Sequence, residues 1–197
     1  MTTIVNYGAG NLRSVQNTLE ELNTPYVVTS DPAEVERAQI LILPGVGHFG
    51  QMMQALDALG LRAPLIAKIR SGIPFLGICV GLQCLFEASE ESPGVRGLGI
   101  LSGEVKRFHG PIRVPHMGWN SLDRLRPVRL LKGLEAQLFT YFAHSYYAPV
   151  IDATAATCTY FVPYTAVIEQ DNLFAVQFHP EKSGPAGLRV LKNFIAL

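Results

Sequence analysis

The segment Gly77-Ile78-Cys79-Val80-Gly81 holds a cysteine between two glycines. This G-x-Cys-x-G spacing is typical of a sharp strand-to-helix turn, in which the nucleophile has a strained backbone and small neighbours avoid clashes. The sulfur would lie at a helix start, which favours the reactive thiolate. The pattern predicts a thiol nucleophile at Cys79, although a cysteine that merely packs after a buried strand can share it.

The other two of the three cysteines lack this setting. Cys84 falls inside the helix expected after Cys79, and Cys158 lies in an apparent strand, so we predict packing roles for both. There is no C-x-x-C pair and no even set of cysteines. The sequence therefore predicts neither a zinc site nor a disulfide scaffold, and we expect no metal and no cofactor.

A base for the thiol is offered by the segment His179-Pro180-Glu181. A residue before proline favours extended backbone, and positions two apart in a strand face the same way. Glu181 would then orient the imidazole of His179 while the other ring nitrogen faces the sulfur. An H-x-E pattern alone is more often a surface histidine beside a solvated glutamate, but together with Cys79 it favours a catalytic triad.

An oxyanion site is suggested by Pro44-Gly45-Val46-Gly47, which follows an apolar strand. Such a turn can aim backbone N–H groups at a neighbouring strand end, and the N–H of Val80 would be a second donor. A plain glycine-proline turn is the alternative. A phosphate-binding loop is disfavoured because no Lys-Ser/Thr pair follows.

The elements that must position these residues alternate in the first half of the chain. Continuous apolar runs predict strands at 3–7, 26–28, 40–43 and 73–78, and helical spacing predicts helices near 12–22, 51–58, 64–70 and from 80. Asp31-Pro32 predicts the start of a further short helix, with the acid as its cap and the proline in its first turn. Buried strands separated by helices indicate a mostly parallel sheet with flanking helices. The second half predicts antiparallel additions at 99–108, 139–147, 156–162, 165–170 and 173–178, with a tight hairpin at Asp171-Asn172 between the last two, and then a closing helix.

Length and composition fit one α/β domain over residues 1–197, with 48% hydrophobic and 16% charged residues. The formal net charge is zero, so nothing favours nucleic acid or a membrane surface as a partner. The first residues lack the pattern of a signal peptide, and no apolar run reaches the roughly 18 residues that span a bilayer. We expect a cytoplasmic protein.

The segments GICVGLQ, FHPEKS and PGVG together resemble the class I, triad-type glutamine amidotransferases. The segments YGAGNLRSV and PHMGWN are more specific and resemble one branch, the glutaminase subunits of imidazole glycerol phosphate synthases. The resemblance runs from Ile4 to the last helix. It implies a single-domain glutamine amidotransferase-like fold.

The resemblance also implies a reaction. Cys79 would attack the side-chain amide of L-glutamine, giving a glutamyl thioester and ammonia, with His179 moving the proton and Glu181 orienting it. Water would then release glutamate. Ammonia would pass to a (β/α)8-barrel cyclase subunit, bound as a heterodimer, that makes imidazole glycerol phosphate and AICAR in histidine biosynthesis.

The family's other site residues carry over by position. Glu91 would meet the α-ammonium of glutamine, and backbone near Ser145 and Tyr146 its α-carboxylate. The implied glutamine-binding residues are Gly47, Gln83, Glu91, Ser145 and Tyr146, the oxyanion-hole backbone is that of Val46 and Val80, and the cyclase-facing residues are Asn11, Trp119, Tyr141 and Lys182. Ordinary surface or packing roles remain the alternative for the cyclase-facing set.

The sequence departs from the family's usual pattern at two positions near Cys79, and three other functions remain as alternatives. Val80 and Leu82 stand where the family usually has Leu and Met, and both remain apolar.

The alternative functions are a free-standing cysteine hydrolase, the glutaminase subunit of pyridoxal phosphate synthase, and an inactive scaffold on the same fold. We expect weak activity in the isolated chain, since the PGVG peptides would need to reorient before an N–H faces the oxyanion.

Overall fold

The computed structural model describes residues 1–9, 12–135 and 137–197. The described residues form strands and helices in mixed order. The strands are β1 Thr2–Val5, β2 Tyr26–Thr29, β3 Ile40–Gly45, β4 Phe75–Cys79, β5 Phe86–Ser89, β6 Leu101–Arg107, β7 His116–Arg124, β8 Leu138–His144, β9 Tyr146–Tyr147, β10 Thr154–Tyr160, β11 Val162–Gln170 and β12 Leu173–Val176. The helices are α1 Leu12–Glu21, α2 Pro32–Arg37, α3 Phe49–Ala58, α4 Arg62–Arg70, α5 Val80–Gln83 and α6 Gly184–Ile195, with a 3-10 turn at Pro180–Lys182 before α6.

A nine-stranded sheet in the order β2-β1-β3-β4-β12-β11-β10-β7-β8 forms the centre of the fold. The pairs among β2, β1, β3, β4 and β12 are parallel, and the remaining pairs are antiparallel. The carboxyl ends of β3, β4 and β12 lie side by side, with Gly45 opposite Cys79 and Val176 opposite Ile78. In open α/β sheets this is the edge at which ligands bind.

Local sequence explains the parallel half. Strand β4 is buried along its whole length, as its uninterrupted apolar run predicts. Helix α2 begins where Asp31 accepts a hydrogen bond of 2.9 Å from the N–H of Ala33, with Pro32 in the first turn, and this confirms the predicted cap. The two-residue hairpin between β11 and β12 is also confirmed, since Gln170 pairs with Leu173 and Asp171 has a φ of 52°.

Two strands were not predicted. The helix expected after Cys79 is a single turn, and β5 follows it and joins β6 and β9 in a three-stranded sheet. Strand β7 covers the PHMGWN segment, where Gly118 and Asn120 are poor strand formers and only part of each face is buried. No helix in the described part of the chain combines the length and apolar character needed to cross a membrane.

Candidate active site

The backbone at Cys79 has the strained conformation that the flanking glycines predict. Its φ is 54° and its ψ is −108°, at the point where β4 ends and α5 begins. A residue with a β-carbon adopts such a φ at a cost of about 1–3 kcal/mol, which the surrounding fold must offset. Strain of this kind is concentrated at active sites, and among the described residues it coincides here with a cysteine that lines a cavity.

Three glycines let β3, β4 and α5 approach each other around this turn. A β-carbon built on Gly77 would lie 2.4 Å from the carbonyl oxygen of Gly81, and one on Gly81 would lie 2.1 Å from the carbonyl oxygen of Leu43. A β-carbon on Gly45 would lie 2.3 Å from the amide nitrogen of Gly81. These separations are far below van der Waals contact, so the sharp turn requires glycine at all three positions.

His179 and Glu181 form a buried pair beside Cys79. The distance from Nδ1 of His179 to Oε1 of Glu181 is 2.9 Å, and the two side chains are only 4% and 2% exposed. The route to this contact differs from the predicted one, because Glu181 lies in the 3-10 turn and not in an extended strand. Ser183 closes that turn by donating a hydrogen bond of 2.7 Å from its hydroxyl to the carbonyl of His179.

The charge state of His179 follows from its partners. Burial by itself lowers the pKa of His179, but hydrogen bonds to Cys79 and Glu181 outweigh it and raise the pKa to about 10. This favours an imidazolium next to the sulfur at neutral pH. Because the pKa is above the ordinary value near 6.5, the stability contributed by the protonated ring is complete below that pH and is lost as pH rises through about 10.

Gln177 is a buried neighbour of the thiol that the sequence did not reveal. Its Nε2 lies 3.6 Å from the sulfur of Cys79, and its Oε1 accepts a hydrogen bond of 3.1 Å from Nε2 of Gln83. No local signal marks it, because Gln177 and Phe178 form a bend after β12 and the contact with Cys79 exists only once β12 has paired with β4.

A cavity of about 350 Å³ opens over Cys79 and His179. It collects the residues for which the sequence predicted glutamine binding and oxyanion stabilisation. Its lining includes Val46, Gly47, Val80, Gln83, Glu91, Ser145 and Tyr146, together with Lys182 from the predicted cyclase-facing set. Glu91 is held in place by the N–H of Phe49, at 2.7 Å, at the start of α3.

The peptide at Val46 is engaged by Tyr7, a residue without a sequence signal. The Val46 N–H donates to the Tyr7 hydroxyl at 3.2 Å, and this hydroxyl lies 3.3 Å from the Val46 carbonyl, to which it donates. Burial raises the pKa of Tyr7 to about 12, so the hydroxyl keeps its proton.

The N–H of Val80, the second predicted oxyanion donor, is not engaged in this way. Val80 is the first residue of α5, and its N–H has no acceptor within the helix.

Comparison with known proteins assigns the family. The family model described as "Glutamine amidotransferase class-I" matches residues 3–197. The chain belongs to the class-I glutamine amidotransferases. It is 51% identical over 198 residues to "Imidazole glycerol phosphate synthase subunit HisH" of Methanothermobacter thermautotrophicus, covering 100% of this chain and 98% of that protein. It is 47% identical to the protein of the same name from Deinococcus radiodurans, covering 97% and 91%.

Solved structures agree on the fold of this glutamine amidotransferase. One titled "Crystal structure of glutamine amidotransferase" has a TM-score of 0.77 at 19% identity, covering 98% of this chain and 97% of the other. PurLQS from Thermotoga maritima has a TM-score of 0.70 at 18% identity, covering 99% and 97%. The expected α/β fold, a central mostly parallel sheet with flanking helices and antiparallel additions, is confirmed.

At the rim of its cavity, this glutamine amidotransferase exposes an apolar face on β7 and β8, and Met117 of this face is also part of the cavity lining. Met117 is 66% exposed and Trp119 is 58% exposed. Trp119 pairs with Tyr141 across the two strands, and Lys182 Nζ lies 5.9 Å from the centre of the Tyr141 ring. The three described residues of the predicted cyclase-facing set therefore lie together at the cavity rim, whereas Asn11 lies outside the described residues.

The remaining cysteines of the glutamine amidotransferase are buried away from the cavity lining. Burial raises the pKa of the Cys84 thiol to about 12 and that of Cys158 to about 11. Neither is among the described residues that line the cavity. Both therefore stay as unreactive thiols, in keeping with the predicted packing roles.

Proposed function

We propose that the chain is the glutaminase subunit of an imidazole glycerol phosphate synthase, and that Cys79, His179 and Glu181 are its catalytic residues. The observation that carries the proposal is the buried, hydrogen-bonded pair of Glu181 and His179 beside the strained Cys79, at the floor of a cavity lined by the residues for which the resemblance implies glutamine binding. Full-length similarity to proteins named HisH supports the choice of branch.

The proposed reaction proceeds through a thioester. The Cys79 thiolate attacks the side-chain amide carbon of L-glutamine, and the carbonyl oxygen becomes an oxyanion. His179, as an imidazolium, protonates the amide nitrogen, and the C–N bond breaks to release ammonia. The now neutral ring takes a proton from water, and the hydroxide attacks the thioester carbonyl carbon. The C–S bond then breaks, which releases glutamate and returns the Cys79 thiolate beside the His179 imidazolium. Glu181 stabilises the imidazolium throughout.

Glutamine fits the cavity by charge and position. The Glu91 carboxylate would pair with the α-ammonium group, and the backbone of Ser145 and Tyr146 would receive the α-carboxylate. Gln83, whose Nε2 donates to the Tyr146 carbonyl at 2.8 Å, links the backbone at Tyr146 to the thiol through Gln177. Gly47 leaves room beside the substrate, since no atom of the described residues lies within 4 Å of the position that its β-carbon would take.

The oxyanion hole would be incomplete in the isolated chain. Val80 supplies one N–H, but the Val46 N–H is bound to Tyr7 and must leave it before it can stabilise an oxyanion. We propose that the cyclase shifts this peptide, so that the isolated glutaminase is weak and the complex is strong. The hydrogen bonds between the Tyr7 hydroxyl and Val46 would then keep this peptide in its inactive orientation while the cyclase is absent.

Replacing Tyr7 with phenylalanine should raise the basal rate of glutamine hydrolysis. The substitution removes the hydroxyl that engages both polar groups of Val46, and a net hydrogen bond contributes about 0.5–1.5 kcal/mol, so we expect a rise of about 2- to 10-fold. The rate of the complex should change little, which lowers the stimulation factor. Steady-state glutamate release with and without the cyclase measures both.

Tyr26→Phe provides the matched control for this prediction. Its hydroxyl bonds to Glu20 and Gln16 on the surface, away from the cavity. Its basal rate should equal that of the wild type. An unchanged or lower basal rate in a folded Tyr7→Phe variant would refute the proposed role of Tyr7.

The exposed apolar face on β7 and β8 is the proposed docking surface for the (β/α)8-barrel cyclase. Trp119 and Tyr141 project from paired strand positions, and Lys182 lies beside the Tyr141 ring at the rim of the cavity. A partner bound there would cover exposed Met117 and Trp119 and would close the pocket against water. Asn11 remains a proposed contact from sequence resemblance alone.

The proposed function is tested by glutamate release from L-glutamine with and without the barrel cyclase and its ligand. We expect a low rate alone and a strong increase with both present. No glutamate release under any of these conditions would refute it. Co-purification decides the branch, because a pyridoxal phosphate synthase barrel retained in place of the cyclase would overturn the assignment to histidine biosynthesis.

We also propose that residues 1–197 form one domain and that the protein works in the cytoplasm. The central sheet, which draws strands from both halves of the chain, supports the first statement. Three free cysteines support a reducing compartment.

A further inference from the structure

A buried series of hydrogen bonds leads away from the glutamine pocket, starting at the lining residue His144, and has no part in the reaction described above. It joins His116 of β7, Tyr164 of β11 and His144 of β8, all of them less than a tenth exposed. Nδ1 of His116 lies 3.2 Å from the Tyr164 hydroxyl, and this hydroxyl lies 3.3 Å from Nε2 of His144. We call these three side chains the His-Tyr-His relay.

One end of the relay has a fixed hydrogen-bond direction. Nδ2 of Asn120 donates to the carbonyl of Thr159 at 3.0 Å, and Oδ1 of the same amide accepts from the N–H of Ser121 at 2.8 Å. The amide orientation is therefore set, and Nδ2 also approaches Nε2 of His116 at 3.5 Å. Nε2 of His116 must accept, which leaves the proton of this ring on Nδ1, facing Tyr164.

At the other end of the relay, the hydrogen bonds must also be donated in the direction that leads from His116 toward Tyr146. Nδ1 of His144 lies 2.8 Å from the backbone carbonyl of Tyr146, which can only accept. His144 therefore carries its proton on Nδ1, and its Nε2 accepts from the Tyr164 hydroxyl. Asn120 then donates to His116, His116 to the Tyr164 hydroxyl, the Tyr164 hydroxyl to His144, and His144 to the Tyr146 carbonyl.

Both imidazoles are suited to this role because they are neutral. Burial lowers the pKa of His116 to about 4 and that of His144 to about 3. A neutral ring has one donor and one acceptor, as the relay needs. The ring of His116 is also held flat between Phe142, at 5.0 Å between ring centres, and Tyr160, at 4.0 Å.

The relay ends at a segment of the pocket that belongs to a very short strand. Strand β9 has only two residues, and it pairs only with β6, at Tyr146 and Tyr147. The Tyr146 carbonyl instead accepts two side-chain hydrogen bonds, from Gln83 and from His144, each of 2.8 Å. The orientation of this peptide thus depends on side chains and not on a continuous strand ladder.

We propose that the His-Tyr-His relay, by holding the Tyr146 carbonyl, orients the backbone at Tyr146 so that its N–H can donate to the substrate carboxylate, with Tyr164 as the central positioning residue. The inference rests on the proposed function, because it assigns these residues to the binding of glutamine. Tyr164 is not among the described residues that line the cavity, so it can act on the substrate only through the relay.

Tyr164→Phe should raise the KM for glutamine by about 5- to 30-fold, the loss expected when one hydrogen bond in a buried series is removed, while kcat changes less than about threefold. Tyr160→Phe is the matched control. It also removes one hydroxyl from the ring cluster around His116, but that hydroxyl donates at 2.7 Å to the exposed carbonyl of Arg113 and not to the relay. The control should keep the wild-type KM.

The tautomers provide a second test, which needs no variant. Long-range 15N–1H NMR spectra of the wild-type chain should show His116 and His144 as neutral rings protonated on Nδ1. Protonation on Nε2 in either ring would overturn the relay. This measurement remains decisive if Tyr164→Phe fails to fold.

The outcomes separate the relay from the proposed function. If the wild type, assayed with the cyclase, hydrolyses glutamine and Tyr164→Phe keeps its KM, the relay is refuted and the function stands. If the wild type hydrolyses no glutamine under any condition, the proposed function is refuted, and the tautomers alone decide whether the relay exists.

Discussion

Replacing Cys79 with alanine should lower glutamine hydrolysis by at least about 10⁴-fold, in the isolated chain and in the complex, because no other group can form the thioester. The substitution also removes one of the two hydrogen bonds that raise the pKa of His179. An NMR titration of the variant should therefore show a lower pKa for His179 than in the wild type. The rate and the titration test the same contact independently.

Cys84→Ala and Cys158→Ala are the matched controls for this substitution. Both thiols are buried with raised pKa values and lie away from the cavity lining, so both variants should keep their rates within a few-fold. Glutamate release that survives in Cys79→Ala, or is lost in Cys84→Ala with the fold intact, would contradict the assignment of the nucleophile.

Replacing Gly81 with alanine should lower the free energy of unfolding by about 3 kcal/mol or more and should also abolish activity. The new β-carbon would lie 2.1 Å from the Leu43 carbonyl oxygen, which is backbone and cannot move alone. Helix propensity gives the opposite sign, because alanine within a helix is favoured over glycine by about 1 kcal/mol. Denaturant unfolding measures the free energy of unfolding of the variant. A decrease would show that the steric clash dominates, and an increase would show that helix propensity dominates.

Gly72→Ala provides the comparison for Gly81→Ala. Gly72 has a φ of +88° and no atom within 4 Å of its added β-carbon, so only backbone strain of about 1–2 kcal/mol is expected, with normal activity. If Gly81→Ala is as stable as the wild type, the three-glycine contact beneath Cys79 does not hold the turn.

The residues that the sequence predicts best are those whose signals are local. The strain at Cys79 follows from its flanking glycines, and the start of α2 follows from Asp31 and Pro32. The apolar runs before Pro44 and Cys79 predict neighbouring parallel strands. Each of these features depends on residues within one or two turns of chain, so pattern and steric rules are sufficient to find them.

The features that the sequence does not predict depend on distant partners. Tyr7 meets Val46, Gln177 meets Cys79, and Tyr164 meets two histidines from other strands. Nothing local marks these side chains, because each contact exists only once the sheet has formed. The pairing of His179 with Glu181 was predicted, but the 3-10 turn that produces it was not, because Pro180 restricts its own backbone and that of His179 but not that of Glu181.

The most direct test of the central claim is to map the covalent adduct formed with an electrophilic analogue of glutamine. The chain, with the cyclase present, is treated with the analogue, digested and analysed by peptide mass spectrometry. We predict one adduct, on Cys79, with Cys84 and Cys158 unmodified, and protection by excess L-glutamine. An adduct on another residue, or none on Cys79 in a preparation that still releases glutamate, would contradict the account.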